Sequence, residues 1–128
     1  KQIQGSIGYI SSSYINESIQ TAAIENLSGE FIQPTFESGS IALKNLDIKN
    51  KLIQVNPNPK GKGAYPISTL TWIWVYKSGY GEKLNNIKTV LNFLLSKEAS
   101  KKALKLGFIP LNKQMQDHAI RSINDIGI

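Results

Sequence analysis

The 128-residue sequence predicts an α/β fold, and three observations carry this prediction. Short apolar segments typical of strands alternate along the chain with segments whose apolar residues recur at helical spacing. No internal repeat occurs, and most connections between the segments are short. Hydrophobic residues make up 41% of the chain, which is enough to build a core in one domain of ordinary size. The predicted strands are few for a self-sufficient sheet.

Two strand-containing elements are predicted in the first quarter of the chain. Residues 6–10, Ser-Ile-Gly-Tyr-Ile, favour a buried strand that leads into a helix start at the serine cluster 11–13. Residues 21–25 form a second strand candidate. The turn-forming residues 26–29 bring residues 30–33 back against it, so a hairpin is expected here.

A helix and a linker are predicted next. Thr35 is a suitable helix cap, and the apolar residues after it recur at near-helical spacing. Gly39 weakens the middle of this helix, which is expected to end near Leu46 and Asp47. Residues 56–63 read Asn-Pro-Asn-Pro-Lys-Gly-Lys-Gly, and their prolines and glycines exclude helix and central strand, so this stretch is the best linker candidate.

The second half of the chain contains one strand candidate and three helix candidates. Residues 67–77 are apolar at both odd and even positions, which predicts a central strand covered by helices on both faces, with Trp72 and Trp74 in the core rather than on a stacking platform. Helices are predicted over residues 82–95, 96–106 and 112–126. Gly107 supplies the stop of the middle helix.

Charge and composition limit the possible functions. The chain has 15 basic and 9 acidic residues, a net charge of +6 and no cysteine, so disulfides and thiolate chemistry are excluded. The lysines are scattered, with no more than two adjacent cations, which favours a solvated surface over a nucleic-acid footprint. No stretch approaches the roughly 18 apolar residues of a membrane span. Lys1 is interpreted as a cut point, since it is neither an initiator Met nor part of a signal peptide.

Side chains suited to catalysis or metal binding are sparse. The single histidine, His118, lies beside Asp117 on a helix whose apolar stripe faces elsewhere, so we expect it to be a surface residue without catalytic role. A metal site built on histidines would need a second histidine, and the chain has only one. No spacing places two carboxylates opposite each other, so solvated surface acids are the favoured interpretation. The acids considered were Glu25, Glu30, Glu37, Asp47 and Asp117.

Possible anion sites are also weak. Residues 60–63, Lys-Gly-Lys-Gly, lack the frame of a phosphate loop, so a flexible loop is favoured. Glu37, Glu82 and Glu98 are expected at the starts of three helices, where a carboxylate already uses the helix dipole and repels phosphate. The only arginine, Arg121, is spaced for an intrahelical ion pair with Asp117.

Four stretches, in this order, resemble the phosphate-specific substrate-binding proteins of bacterial ABC transporters. They are Gly-Ser-Ile-Gly-Tyr-Ile at 5–10, Gly-Lys-Gly-Ala-Tyr-Pro-Ile at 61–67, Thr-Trp-Ile-Trp-Val-Tyr-Lys at 71–77 and Leu-Gly-Phe-Ile-Pro-Leu at 106–111. Each stretch alone is only weakly specific for this family, whereas the order and spacing of the four stretches are more specific. The resemblance covers essentially this whole chain but only the C-terminal part of a typical family member.

The resemblance implies a two-lobed, type II periplasmic-binding-protein-like fold, of which this chain is a C-terminal fragment. Residues 1–62 would belong to the second lobe and residues 63–128 to the returning part of the first lobe, with the linker near the hinge. The family's phosphate ligands lie upstream of the stretch at 5–10. No residue of this chain therefore inherits a phosphate-binding, catalytic or metal-binding role, and no cofactor is implied.

The implied function is extracytoplasmic binding of inorganic phosphate for delivery to the membrane permease of an ABC transporter. The implied protein is a monomer and not an enzyme, and it binds no nucleic acid. Its location would be periplasmic or extracellular, free or anchored through a segment before Lys1. Two other classes remain open from the residues alone: a small basic nucleic-acid-binding protein, and a phosphatase-like enzyme, which the lone histidine opposes.

Overall fold

The computed structural model describes residue 3, residues 5–46 and residues 58–128. Within these ranges the chain forms one two-stranded sheet and four α-helices, joined by irregular segments. In chain order the elements are β1 (Ile24–Glu25), β2 (Phe31–Ile32), α1 (Phe36–Lys44), α2 (Leu84–Leu94), α3 (Lys97–Lys105) and α4 (Lys113–Asn124). The predicted alternation of strands and helices is therefore present only in part, because the regular structure of the described residues is almost entirely helical.

The predicted hairpin is confirmed in a shorter form. Strands β1 and β2 pair antiparallel, with Ile24 opposite Ile32 and Glu25 opposite Phe31. The backbone N–H of Asn26 donates to the carbonyl of Glu30 at 2.9 Å, which closes the turn. Gly29 adopts the left-handed conformation with φ +77°, which glycine tolerates without steric cost. The turn-forming residues 26–29 therefore form the turn that the sequence predicts.

Helix α1 begins where the sequence predicts. The hydroxyl of Thr35 accepts a hydrogen bond from the Ser38 N–H at 3.1 Å, and the Ser38 hydroxyl accepts one from the Thr35 N–H at 3.0 Å, so the two residues form a reciprocal cap. The helix ends at Lys44, slightly earlier than expected. Gly39 leaves room for the side chain of Ile109, which occupies the place of a Cβ atom. The helix-weakening glycine is therefore a packing site.

The three later helices are confirmed with small changes in their bounds. A short 3₁₀ turn, Gly81–Lys83, precedes α2, so the α-helix starts at Leu84. Ser96 caps α3 and Asn112 caps α4 through side-chain oxygens that accept backbone N–H groups at 3.1 and 3.0 Å.

Gly107 ends α3 as predicted. With φ +84°, it lets the next N–H, of Phe108, reach back to the carbonyl of Ala103 at 2.9 Å. The N–H of Gly107 itself donates to the carbonyl of Leu104 at 3.1 Å. These two bonds form the Schellman arrangement, in which the left-handed residue turns the chain away from the helix axis.

A small apolar cluster joins the two halves of the described chain. Leu43 and Leu46, in and just after α1, pack with Met115 of α4, and these three side chains are buried. The partly buried side chains against them are those of Leu70, Ile109 and Leu111. Residues on both sides of the predicted linker therefore share one packed cluster. The assignment of residues 1–62 and 63–128 to different lobes stays a prediction.

The predictions of buried strands at residues 6–10 and 67–77 are wrong for this structure. Neither stretch pairs with another strand within the described ranges. Ile7 and Tyr9 are each 99% exposed, and Trp72 and Trp74 are 37% and 78% exposed, so the predicted core role of the tryptophans is also wrong. The physical reason is that a strand is held by hydrogen bonds to a neighbour distant in sequence, which a local pattern cannot supply.

The predicted linker is only partly within the described ranges. Residues 56 and 57 lie outside them, as does Asp47 at the expected end of the first helix. Residues 58–63 are neither helix nor strand, which confirms that part of the prediction. The stretch is not a free tether, however, because Pro59 is fully buried and Ala64 just after it is inaccessible to solvent.

Gly107 provides a test of the packing between the start of the chain and α3. A Cβ at this position would lie 2.5 Å from the Cα of Ser13, and the Ser12 hydroxyl already donates to the Gly107 carbonyl at 3.1 Å. We expect Gly107→Ala to combine the cost of a left-handed alanine, about 1–2 kcal/mol, with an overpacking cost of about 1–3 kcal/mol. The measurement is the free energy of unfolding in urea.

Gly79→Ala is the matched control. Gly79 has φ +92°, and no atom lies within 4 Å of the position that a Cβ would take, so only the backbone cost applies there. Equal destabilisation by the two substitutions would show that Ser13 does not pack against Gly107 in solution.

Candidate functional site

A set of polar contacts fastens the β1–β2 turn to the loop of residues 58–66. We call it the hairpin–loop clamp; it consists of the side chains of Asn26 and Glu30 and the backbone of Gly61, Gly63 and Ala64. A carboxylate oxygen of Glu30, Oε2, accepts the backbone N–H of Gly63 at 2.7 Å and the side-chain amide of Asn26 at 3.2 Å. Two segments more than thirty residues apart are thereby joined.

Asn26 uses both ends of its buried side-chain amide. Its oxygen accepts the backbone N–H groups of Ser28 at 2.9 Å and Glu30 at 3.1 Å, inside the turn. Its nitrogen donates outward to the carbonyl of Ala64 at 3.3 Å and, more weakly, to that of Gly61 at 3.5 Å. A buried amide is stable only when its polar atoms have partners, and the turn and the loop supply them.

The clamp lowers the pKa of the Glu30 carboxyl below its ordinary value. The largest cause is the hydrogen bond from the Gly63 N–H, followed by that from the Asn26 side chain, since both favour the charged carboxylate. Desolvation acts in the opposite direction, and the positive charge of Lys62 adds a smaller lowering effect. Glu30 is therefore an ionised hydrogen-bond acceptor at neutral pH.

The clamp also determines what the backbone of the Lys-Gly-Lys-Gly loop, residues 60–63, binds. Backbone N–H groups in glycine-rich loops bind anions in many proteins. Here the N–H of Gly63 is bound to an anion of the same chain, the Glu30 carboxylate. Glu30 is a partly exposed acid, as expected, but it also binds the backbone of the loop. Spacing alone could not predict this contact, because the loop is distant in sequence.

The residues singled out for catalysis or metal binding are not brought together into a site. His118 is half-buried on α4, and its backbone carbonyl accepts the Ser122 hydroxyl at 3.2 Å. Within residues 3, 5–46 and 58–128, no three histidine, cysteine, aspartate or glutamate side chains are grouped so that they could hold a metal ion.

Asp117 forms its ion pair with Lys113 at 2.6 Å. The predicted partner was Arg121, so that prediction is wrong. Both cations lie one helical turn from Asp117, on opposite sides, and spacing alone does not distinguish them.

The helix starts do not present an anion site either. Glu37 lies in the first turn of α1, and Glu98 lies in the first turn of α3, where it pairs with Lys102 at 3.1 Å. Glu82 was expected at the start of α2 but lies in the preceding 3₁₀ turn, because the α-helix begins later. The start of α4 has no acid in its first turn, and there the Asn112 side chain binds a backbone N–H.

The sequence is similar to curated phosphate-binding proteins called PstS. The relative from Xylella fastidiosa (strain Temecula1) is 31% identical over 116 residues, which are 87% of this chain and 31% of the relative. The relative from Pasteurella multocida is 26% identical over 119 residues, 89% of this chain and 34% of the relative. A relative from Methanocaldococcus jannaschii is 28% identical over 135 aligned positions, 94% of this chain and 34% of the relative.

The chain thus spans about a third of the length of the curated relatives that it matches. No protein-family model matches the sequence. Among the described residues, no helix is both long enough and apolar enough to cross a membrane. The similarity supports a fragment resembling a phosphate-binding protein, with a periplasmic-binding-protein-like fold.

The lowered pKa of Glu30 predicts an acid-sensitive clamp. The ordinary pKa of 4.5 applies to the unfolded chain, and the folded value is lower. Glu30 therefore contributes stability that is present above pH 4.5 and is lost as the pH falls from there through the folded pKa. We expect Glu30→Gln to lower the free energy of unfolding at pH 7 and to flatten its dependence on pH in this acidic window, measured by urea unfolding at a series of pH values.

Glu25→Gln is the control, since Glu25 is an exposed glutamate of the same hairpin. Its substitution should leave the acidic part of the profile as steep as in the unsubstituted chain. If Glu25→Gln flattens the profile as much as Glu30→Gln does, the clamp is not the source of the acid sensitivity.

Proposed function

We propose that this chain is the C-terminal part of an extracytoplasmic phosphate-binding protein that delivers inorganic phosphate to the permease of an ABC transporter. The observation that carries the proposal is the 31% identity over 116 residues to the phosphate-binding protein of Xylella fastidiosa. The order of the four matching stretches supports it, since unrelated sequences would not reproduce both their order and their spacing.

In this proposal the ligands that grip phosphate lie outside these 128 residues. The N–H of Gly63 is bound to Glu30, and the starts of α1 and α3 carry their own acids. Selectivity for a protonated oxyanion requires fixed donors and one acceptor, which scattered lysines do not provide. The net charge of +6 would instead attract anions at long range.

The proposal includes the architecture implied by the resemblance. The parent fold would be a type II two-lobed protein, with residues 1–62 in the second lobe and 63–128 in the first. The contact between Leu43 and Met115 would then lie where the two lobes meet. The protein would be a monomer without cofactor, located in the periplasm or outside the cell, and it would not be an enzyme. Nothing in the described residues or in the relatives' names supports the nucleic-acid alternative.

A chimera tests the function directly. The 116 matched residues of the Xylella fastidiosa protein are replaced by the aligned residues of this chain, and phosphate binding is measured by titration calorimetry with sulfate as the control anion. We expect phosphate binding with selectivity over sulfate. A chimera that unfolds cooperatively but binds neither anion would contradict the proposal.

The isolated chain gives the complementary prediction. Because it lacks the caging donors and the acceptor, we expect it to bind inorganic phosphate at least about a thousandfold more weakly than the chimera, equivalent to about 4 kcal/mol. The measurement is again titration calorimetry, at equal ionic strength. Micromolar affinity in the isolated chain would show that the ligands lie within these 128 residues after all.

A further inference from the structure

Three lysines form a row along one face of α3, which we call the α3 lysine row. It consists of Lys97, Lys101 and Lys105, and all three side chains are exposed. Because they are four residues apart, successive lysines differ by about 40° around the helix axis, and the row is about 12 Å long. The lysines of the whole chain are scattered along the sequence, but the helix brings these three onto one face.

The packing of α3 holds this face toward solvent. Ala99 and Ala103 lie on the opposite side of the helix and are partly buried. The helix contacts α2. The turn that ends α3 is held as well, because the Ser12 hydroxyl donates to the carbonyl of Gly107 at 3.1 Å. The lysine row is therefore displayed by a helix that is fixed at its back and at its end.

The described part of the chain provides no carboxylate that neutralises the row. Within residues 3, 5–46 and 58–128, none of its three lysines forms an ion pair, and the neighbouring Glu98 pairs with Lys102 at 3.1 Å. Like charges one helical turn apart repel each other. Lys97 also lies in the first turn, where the helix dipole disfavours a cation. The row therefore destabilises α3, and an anionic partner would relieve the repulsion.

Exposed apolar side chains border the row. Leu104 projects from the same face of α3, next to Lys97 and Lys101, and is 47% exposed. Phe108, just after the helix, is 48% exposed. Helices that carry lysines beside exposed leucine or phenylalanine are typical of segments that lie in the headgroup region of a membrane. A purely ionic partner, such as a nucleic acid, would use the lysines and leave Leu104 without a contact.

The cations of the row are also of the type that suits a lipid surface. Lysine presents a compact charge on a flexible stem, whereas arginine suits the bidentate capture of one fixed phosphate, and α3 contains no arginine. Anionic headgroups spread their charge over a surface and do not require fixed geometry. The row therefore matches an anionic surface better than a single bound anion.

We infer that α3 is a contact site for an anionic phospholipid surface. The α3 lysine row lies against the headgroups, and Leu104 inserts between them. The contact is made on the surface of the bilayer and does not cross it. The inference goes beyond the proposed function and does not depend on phosphate binding.

Vesicle sedimentation tests the contact with the 128-residue chain. We expect binding to phosphatidylcholine vesicles that contain phosphatidylglycerol to be at least about tenfold tighter than binding to phosphatidylcholine alone. The difference should shrink as salt is added, because screening shortens the reach of the charges. Equal binding to both kinds of vesicle, or binding to neither, would overturn the inference. Equal binding would instead assign the contact to exposed apolar residues such as those at 72–76.

Two triple variants of equal net charge test whether the row itself is responsible. Replacing the three lysines of the row by glutamine keeps a residue of good helix propensity and lowers the net charge by three. The control replaces three exposed lysines outside the row by glutamine. They are Lys44, Lys60 and Lys83.

The row variant should bind the anionic vesicles at least about tenfold more weakly, and the control less than about threefold more weakly, than the unsubstituted chain. Equal losses would show that net charge alone determines binding and would contradict the inference. Urea unfolding of both variants excludes a loss of fold as the cause, because removing like-charge repulsion should leave α3 at least as stable as before.

Leu104→Asn tests whether the partner is a membrane or another polyanion. Removing the inserted side chain should weaken vesicle binding at least about threefold, whereas Leu27→Asn, at an exposed leucine of the β1–β2 turn, should not. A Leu104→Asn variant that binds as the unsubstituted chain does would contradict an interfacial contact. A DNA duplex bound more tightly than the vesicles, with the same loss in the row variant, would assign the row to nucleic acid and defeat the inference.

Discussion

A buried asparagine determines how the first half of the described chain is arranged. Asn26 shapes the turn between β1 and β2 with its side-chain oxygen and holds the carbonyl of Ala64 with its nitrogen. Because a buried amide without partners costs about 1–3 kcal/mol, the turn and the loop are stabilised together. The loop in turn reaches α1, since the N–H of Tyr65 donates to the carbonyl of Ser38 at 3.1 Å. Asn26 thus joins the turn to the loop, and the backbone contact of Tyr65 joins the loop to α1.

The same contacts explain why the candidate anion-binding groups of this basic chain do not form an anion site. The Gly63 N–H is occupied by Glu30, and the caps of α1, α3 and α4 occupy N–H groups at the helix starts. The ion pairs of Glu98 with Lys102 and of Lys113 with Asp117, found among the described residues, are exposed and therefore contribute little to stability. What remains of the charge acts over long distances and is screened by salt. It can raise the rate of encounter with an anion without selecting one.

The sequence predicted those features whose causes are local. Three helices are capped by the side chains of Thr35, Ser96 and Asn112, and α3 ends at Gly107 because of that residue's own dihedral angle. A few adjacent residues were therefore enough to predict where these helices begin or end. The hairpin was predictable for the same reason, because its turn is stabilised by contacts among neighbouring residues. The role of Glu30 was not predictable, since its partner Gly63 lies thirty-three residues away. Spacing along the chain also could not decide whether Asp117 pairs with Lys113 or Arg121.

The strand predicted over residues 67–77 shows the limit of this reasoning most clearly. Apolar residues at both odd and even positions indicate the environment that the segment requires, whereas the structure shows the environment that the described residues supply. The buried core within the described ranges is small, and complete burial of a large apolar side chain contributes about 1.5–3 kcal/mol. Covering residues 72–76 would thus add stabilisation comparable to the whole marginal stability of a small domain, about 5–15 kcal/mol. The composition of the segment therefore specifies an interior environment that its surroundings among the described residues do not provide.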